Sequence, residues 1–102
     1  MGAQGTTTVN FGAFPGASDT SVSVTGQTGI LSGSLVEAWI FPSATTDHSA
    51  DEHIYDTLEV RAGNVIAGTG FTIYAYDENT LCDPKGNGTR LYGLYTVAWV
   101  WN

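Results

Sequence analysis

The residues best equipped for chemistry stand in one short run, Asp47-His48-Ser49-Ala50-Asp51-Glu52-His53, which places two imidazoles and three carboxylates within seven positions. These are ligand types for zinc, and His48, Asp51 and His53 form the candidate metal set. A zinc site also needs fixed geometry and supporting hydrogen bonds, and no later Cys/His pair supplies further ligands. The simpler reading is a solvated acidic loop. Asp47, His48 and Ser49 are also the residue types of a nucleophilic triad, yet neighbours on an extended chain project to opposite sides and do not line up as base, orienter and nucleophile. Cys82 follows an apolar run without an adjacent basic residue to activate its thiol. Glu37, set among apolar neighbours, is expected on an outer face or paired with Arg61 or Arg90. No catalytic residue and no cofactor is assigned.

A second kind of chemistry belongs to the aromatic residues. Trp39, Trp99, Trp101 and the tyrosines could form a platform that stacks on sugar rings, and they equally suit a core or an interface. The final run presents Leu91, Tyr95, Val97, Trp99 and Trp101 on one face and Tyr92, Leu94, Thr96, Ala98 and Val100 on the other. Both faces are largely apolar, whereas a two-layer fold leaves each strand one outer face. The expectation is therefore an oligomer or partner interface built on Tyr92, Tyr95, Trp99 and Trp101. Val9 and Phe11 are assigned to the same interface, and the Thr/Gly arm at Gly5–Val9 is expected to add to a neighbour as an edge strand.

The elements that must position these residues read as all-β. No segment repeats apolar residues at helical spacing over three turns, while Val, Thr, Tyr, Trp and Phe recur in short runs separated by Gly, Pro, Asn and Asp. The expected strands are Thr6–Gly12, Ser21–Thr25, Leu35–Phe41, Ile54–Arg61, Gly70–Tyr76 and Leu91–Trp101. Turn chemistry marks Phe14-Pro15-Gly16, Gly26-Gln27-Thr28-Gly29 and Asp83-Pro84-Lys85-Gly86-Asn87-Gly88. Ser43–His53, long, polar and without alternation, reads as an exposed loop with room for a single helical turn. The fold expected is one antiparallel β-sandwich or small barrel, with a jelly roll among the topologies open to it, over residues 1–102, beginning with a Thr/Gly-rich arm of about residues 1–8.

Composition narrows the partners. Three basic residues face ten acidic ones, for a net charge of −7, which repels nucleic-acid phosphate and favours a basic surface. A lone cysteine gives no internal disulfide, and no apolar run reaches the length of a membrane span. The first residues carry neither a basic region nor an apolar stretch, so cytoplasmic synthesis without export is expected. Gly2 with Thr6 fits a myristoylation pattern and Asn87-Gly88-Thr89 a glycosylation sequon, both patterns that a Gly/Thr-rich chain generates by chance.

The segments Leu35–Pro42, Asp47–His53 and Ala67–Tyr74 together resemble small proteins encoded among the virion genes of tailed bacteriophages. That resemblance implies a non-enzymatic virion protein made in the host bacterial cytoplasm, foremost a decoration or cement protein on the capsid. It brings no catalytic residues. Its partners would be other copies of itself, as a dimer or trimer, and the major capsid protein, with no nucleic acid and no membrane. A tail or fibre component and a carbohydrate-binding sandwich module are the alternatives.

Overall fold

The computed structural model describes residues 2–13, 16–55, 58–77 and 91–102. Its elements, in chain order, are β1 (Ala3–Asn10), β2 (Asp19–Val24), β3 (Val36–Ile40), α1 (Ala50–Tyr55), β4 (Leu58–Ile66), β5 (Gly70–Asp77) and β6 (Leu94–Trp101). Two three-stranded sheets, β1-β6-β3 and β2-β5-β4, are antiparallel throughout and pack as a β-sandwich. β3 runs close to β4, and β1 close to β2.

Period-two alternation decides which side chains fill the space between the sheets. Phe71, Ile73 and Ala75 of β5 and Leu58 and Val60 of β4 point inward, against Val9, Phe11, Tyr95, Val97, Trp99 and Trp101 from the other sheet. Each such large apolar side chain contributes about 1.5–3 kcal/mol on leaving water. The Trp99 indole lies over the backbone of β1, where its register partner is Gly5. A Cβ at Gly5 would stand 2.7 Å from the Trp99 ring, so the absence of a side chain there is what lets the indole lie flat.

Four expectations are corrected by the fold. Trp99 and Trp101 are only 8% and 6% exposed, and Tyr95, Val9 and Phe11 are equally interior. They belong to the chain's own core and form no outer interface. Tyr92 alone of that set reaches the surface. The N-terminal segment is no free arm, since β1 pairs with β6 from Ala3 opposite Trp101 to Asn10 opposite Leu94. The strand expected from Ile54 begins at Leu58 and runs to Ile66, because Ile54 lies in α1. Leu91 makes only an isolated bridge to Ala17 before β6 begins at Leu94. Phe14 and Pro15, and the Asp83–Gly88 turn with Cys82, Arg90 and the Asn87 sequon, lie outside the described residues.

Candidate functional site

β6 needs partners on both edges. On one side β1 supplies a backbone ladder along the whole strand; on the other, β3 stops at Ile40, and the 3.1 Å bond from the Phe41 amide to the Thr96 carbonyl is the last that main chain provides. Beyond it the even-numbered residues Thr96, Leu94 and Tyr92 still direct backbone groups outward, and a buried group without a partner costs about 1–3 kcal/mol.

The Asp47–His53 cluster fills that edge. The Thr96 amide donates to His53 Nε2 at 2.9 Å. The Leu94 amide donates to Asp47 Oδ2 at 2.9 Å, and the Leu94 carbonyl accepts from the Thr45 hydroxyl at 2.8 Å. The Tyr92 carbonyl accepts from His48 Nε2. In return the Thr96 hydroxyl donates to the Ser43 carbonyl at 3.0 Å. Four side chains thus take the place of a strand. Gly93 is required beside them: its φ is +73°, and a Cβ there would fall 2.6 Å from the Asp47 carboxylate.

Local structure holds the four in place. Thr45 Oγ1 accepts the amides of Asp47 and His48, forming a tight turn. Ser49 and Glu52 exchange side-chain-to-backbone bonds across Ser49-Ala50-Asp51-Glu52, a capping box that starts α1 and swings His53 inward. That Ser-x-x-Glu spacing was a sequence signal for the helix, and it is the one that reading the segment as a loop passes over.

Partner chemistry assigns the ring protons. His53, fully buried, donates from Nδ1 to the Ser49 carbonyl at 2.8 Å and accepts at Nε2, the arrangement of a neutral imidazole. His48, 4% exposed, meets acceptors at both nitrogens, the Glu52 carboxylate at 2.7 Å and the Tyr92 carbonyl, so its two bonds describe an imidazolium. Its ring stacks on Tyr95 at 4.1 Å and 15°, a geometry that favours a cation over the aromatic face. The hydrogen bond from His48 holds the Glu52 carboxyl below its ordinary range, helped by the Ser49 backbone.

The exposed-loop reading is therefore corrected: both histidines are buried because they serve as sheet-edge partners. The candidate metal set does not assemble either. All four ring nitrogens of His48 and His53 are engaged in hydrogen bonds, Asp51 faces solvent, and among the described residues no three His, Cys, Asp or Glu side chains gather as a metal would require.

The outer faces of the two sheets differ in chemistry. Along β3 and its flanking residues, Leu35, Trp39 and Phe41 stand in one outward row at 75%, 44% and 43% exposure, with Glu37 exposed between them and opposite Val100. This row, unlike the buried Trp99 and Trp101, places large apolar side chains on the surface. On the other sheet Tyr74 and Tyr76 face outward beside Arg61, whose Nε donates to the Tyr76 hydroxyl at 3.0 Å. Comparison with protein-family models, with curated proteins and with solved structures finds no match.

Proposed function

We propose that the chain is a non-enzymatic structural protein of a virion, a decoration or cement protein that docks on the assembled head of a tailed phage through the outer face of the β1-β6-β3 sheet. The observation that carries this reading is the exposed row Leu35, Trp39 and Phe41, which falls inside the Leu35–Pro42 segment of the phage resemblance. Large aromatic side chains held on a rigid strand are the groups that anchor protein interfaces. Around them the residues with catalytic potential are taken up by the sheet edge, which suits a protein whose work is binding.

Docking of this kind acts thermodynamically. A chain that binds the assembled shell and not its free subunits stabilises the shell by mass action, about 2.7 kcal/mol per site at a hundredfold excess over Kd. Self-association into a dimer or trimer belongs to the same proposal, because a multivalent copy bridges neighbouring shell subunits. The net charge of −7 steers the chain to a basic shell surface.

The test is sedimentation of the purified chain with shells assembled from the coat protein of the same genome, and separately with unassembled coat subunits. Co-sedimentation with shells alone is expected, and Trp39→Ser should abolish it while leaving the thermal midpoint unchanged. Absence of shell binding, equal affinity for free subunits, or indifference to Trp39→Ser would contradict the proposal.

A further inference from the structure

We infer that the outer face of the β2-β5-β4 sheet is a binding groove for a neutral saccharide. Ser18, Asp19, Ser21, Arg61, Tyr74 and Tyr76 line an open groove of about 920 Å³, within the size range of small-ligand sites. Register sets its lining on two cross-strand rows, Ser21–Tyr74–Arg61 and Asp19–Tyr76, the second continued on β4 by Glu59 outside the groove. Neighbouring strands lie about 4.8 Å apart, so each row spans about 10 Å, the length of one or two sugar rings.

The groups in these rows select the ligand class. Tyr74 is exposed, and its ring leans over β4 at Gly63, where a Cβ would lie 4.0 Å from Tyr74 Cε2. An exposed tyrosine beside a residue without a side chain has room to offer its ring to the C–H side of a pyranose. The Tyr76 hydroxyl fixes the Arg61 guanidinium through Nε, which orients a planar donor at one end of a row. Asp19 provides acceptors at the opposite edge, and Ser18 and Ser21 provide hydroxyls that both donate and accept.

Charge excludes the other classes. Arg61 is the only Lys or Arg among the described residues, and the Asp19 carboxylate lines the same groove. An anionic ligand meets the Asp19 carboxylate there as well as Arg61, and a cation meets the Arg61 guanidinium. A purely apolar partner would strip water from Asp19 and Arg61 without replacing their hydrogen bonds. A polyol with an apolar ring face uses the tyrosine, the guanidinium, the carboxylate and the hydroxyls together.

This groove lies on the sheet opposite the Trp39 row, so it stands or falls separately from the docking proposal. The test is amide NMR titration of the full chain with maltotriose, mannotriose, lactose and chitotriose, with sialyllactose as the acidic comparison. At least one neutral sugar is expected to shift the amides of Asp19–Ser21 and Tyr74–Tyr76. Tyr74→Ala and Arg61→Ala should each weaken that binding at least ~10-fold, with the thermal midpoint held because both side chains are exposed. No shift from any neutral sugar at about 10 mM, binding of sialyllactose alone, shifts confined to the Trp39 face, or unchanged affinity in Tyr74→Ala would each overturn the inference.

Discussion

The two edges of β6 solve one problem with different parts. Along the first, β1 lays down main chain in regular antiparallel register over eight residues, and its sequence needs only to tolerate an extended backbone and leave room for Trp99 at Gly5. Along the second, β3 gives out at Ile40, and the remaining amides and carbonyls are met by His53, Asp47, Thr45 and His48. A backbone ladder is generic, because every residue except proline carries the same donor and acceptor. A side-chain ladder is specific: each member has one donor or acceptor to match, and a substitution that preserves size still loses the bond. The comparison teaches that polar residues of catalytic type can be consumed entirely by sheet closure. It also explains how a sandwich exposes less of a strand edge to other chains than the length of β3 alone would suggest.

The largest break in this comparison is His53→Ala. It removes a fully buried ring, leaves the Thr96 amide without its acceptor and opens a cavity beside Tyr95, from which the His53 ring centre stands 5.2 Å. A loss of about 3 kcal/mol or more is expected in urea unfolding, whereas removing an exposed threonine side chain at Thr8 on the β1 edge should change stability by less than about 0.5 kcal/mol. Equal effects on the two edges would remove the distinction between them.

Gly93→Ala comes next. The left-handed backbone at φ +73° and the 2.6 Å approach to Asp47 both oppose a methyl group, for a cost of about 1–3 kcal/mol. Asp47→Gly in the same chain relieves the steric part, so the double variant should lose less than the sum of the two single changes. Strict additivity would show that Gly93 is needed for its backbone alone.

How much of this was legible in the sequence depends on where each residue finds its partner. Ser21-Val22-Ser23-Val24 alternates, and its burial alternates with it, since a strand's period is a property of adjacent residues. The last strand was harder to read. Both of its faces are apolar by residue type, but the outward face consists of Leu94, Thr96, Ala98 and Val100, mostly small, while the bulky Tyr95, Trp99 and Trp101 all turn inward. The exposed aromatic row was present in the same sequence, at Trp39 and Phe41. The edge-binding cluster gave no local sign of burial, because Thr45 and His53 bond to residues 49 and 43 positions away. Polarity there suggests solvation, whereas it is complementarity to a distant backbone. The groove on the other sheet was hidden for the same reason, as only pairing of β4 with β5 sets Arg61 beside Tyr74.

The smallest expected effect lies at the rim of the cluster and depends on pH. The Glu52 carboxyl ionises below its ordinary value of 4.5 in the folded chain, chiefly because His48 donates to it. A carboxyl shifted downward on folding stabilises the folded state above its unfolded value and gives up that contribution as the pH falls through the folded value. Wild type should therefore exceed Glu52→Gln in urea midpoint at pH 7, and the gap should close on acidification below about pH 4.5. A gap that stays constant to pH 3 would show that Glu52 acts through something other than its charge.

The central claim is that the two histidines are structural partners of one strand edge, held in different protonation states by what they face. Long-range proton–nitrogen correlation NMR of the full chain at neutral pH reads those states directly. The account predicts His48 protonated at both ring nitrogens and His53 protonated at Nδ1 only, with His53 Nε2 coupled across the hydrogen bond to the Thr96 amide. Two rings that both show averaged tautomers, with no coupling from His53 Nε2 to the Thr96 amide, would contradict it and would return the Asp47–His53 segment to the open loop that its composition suggests.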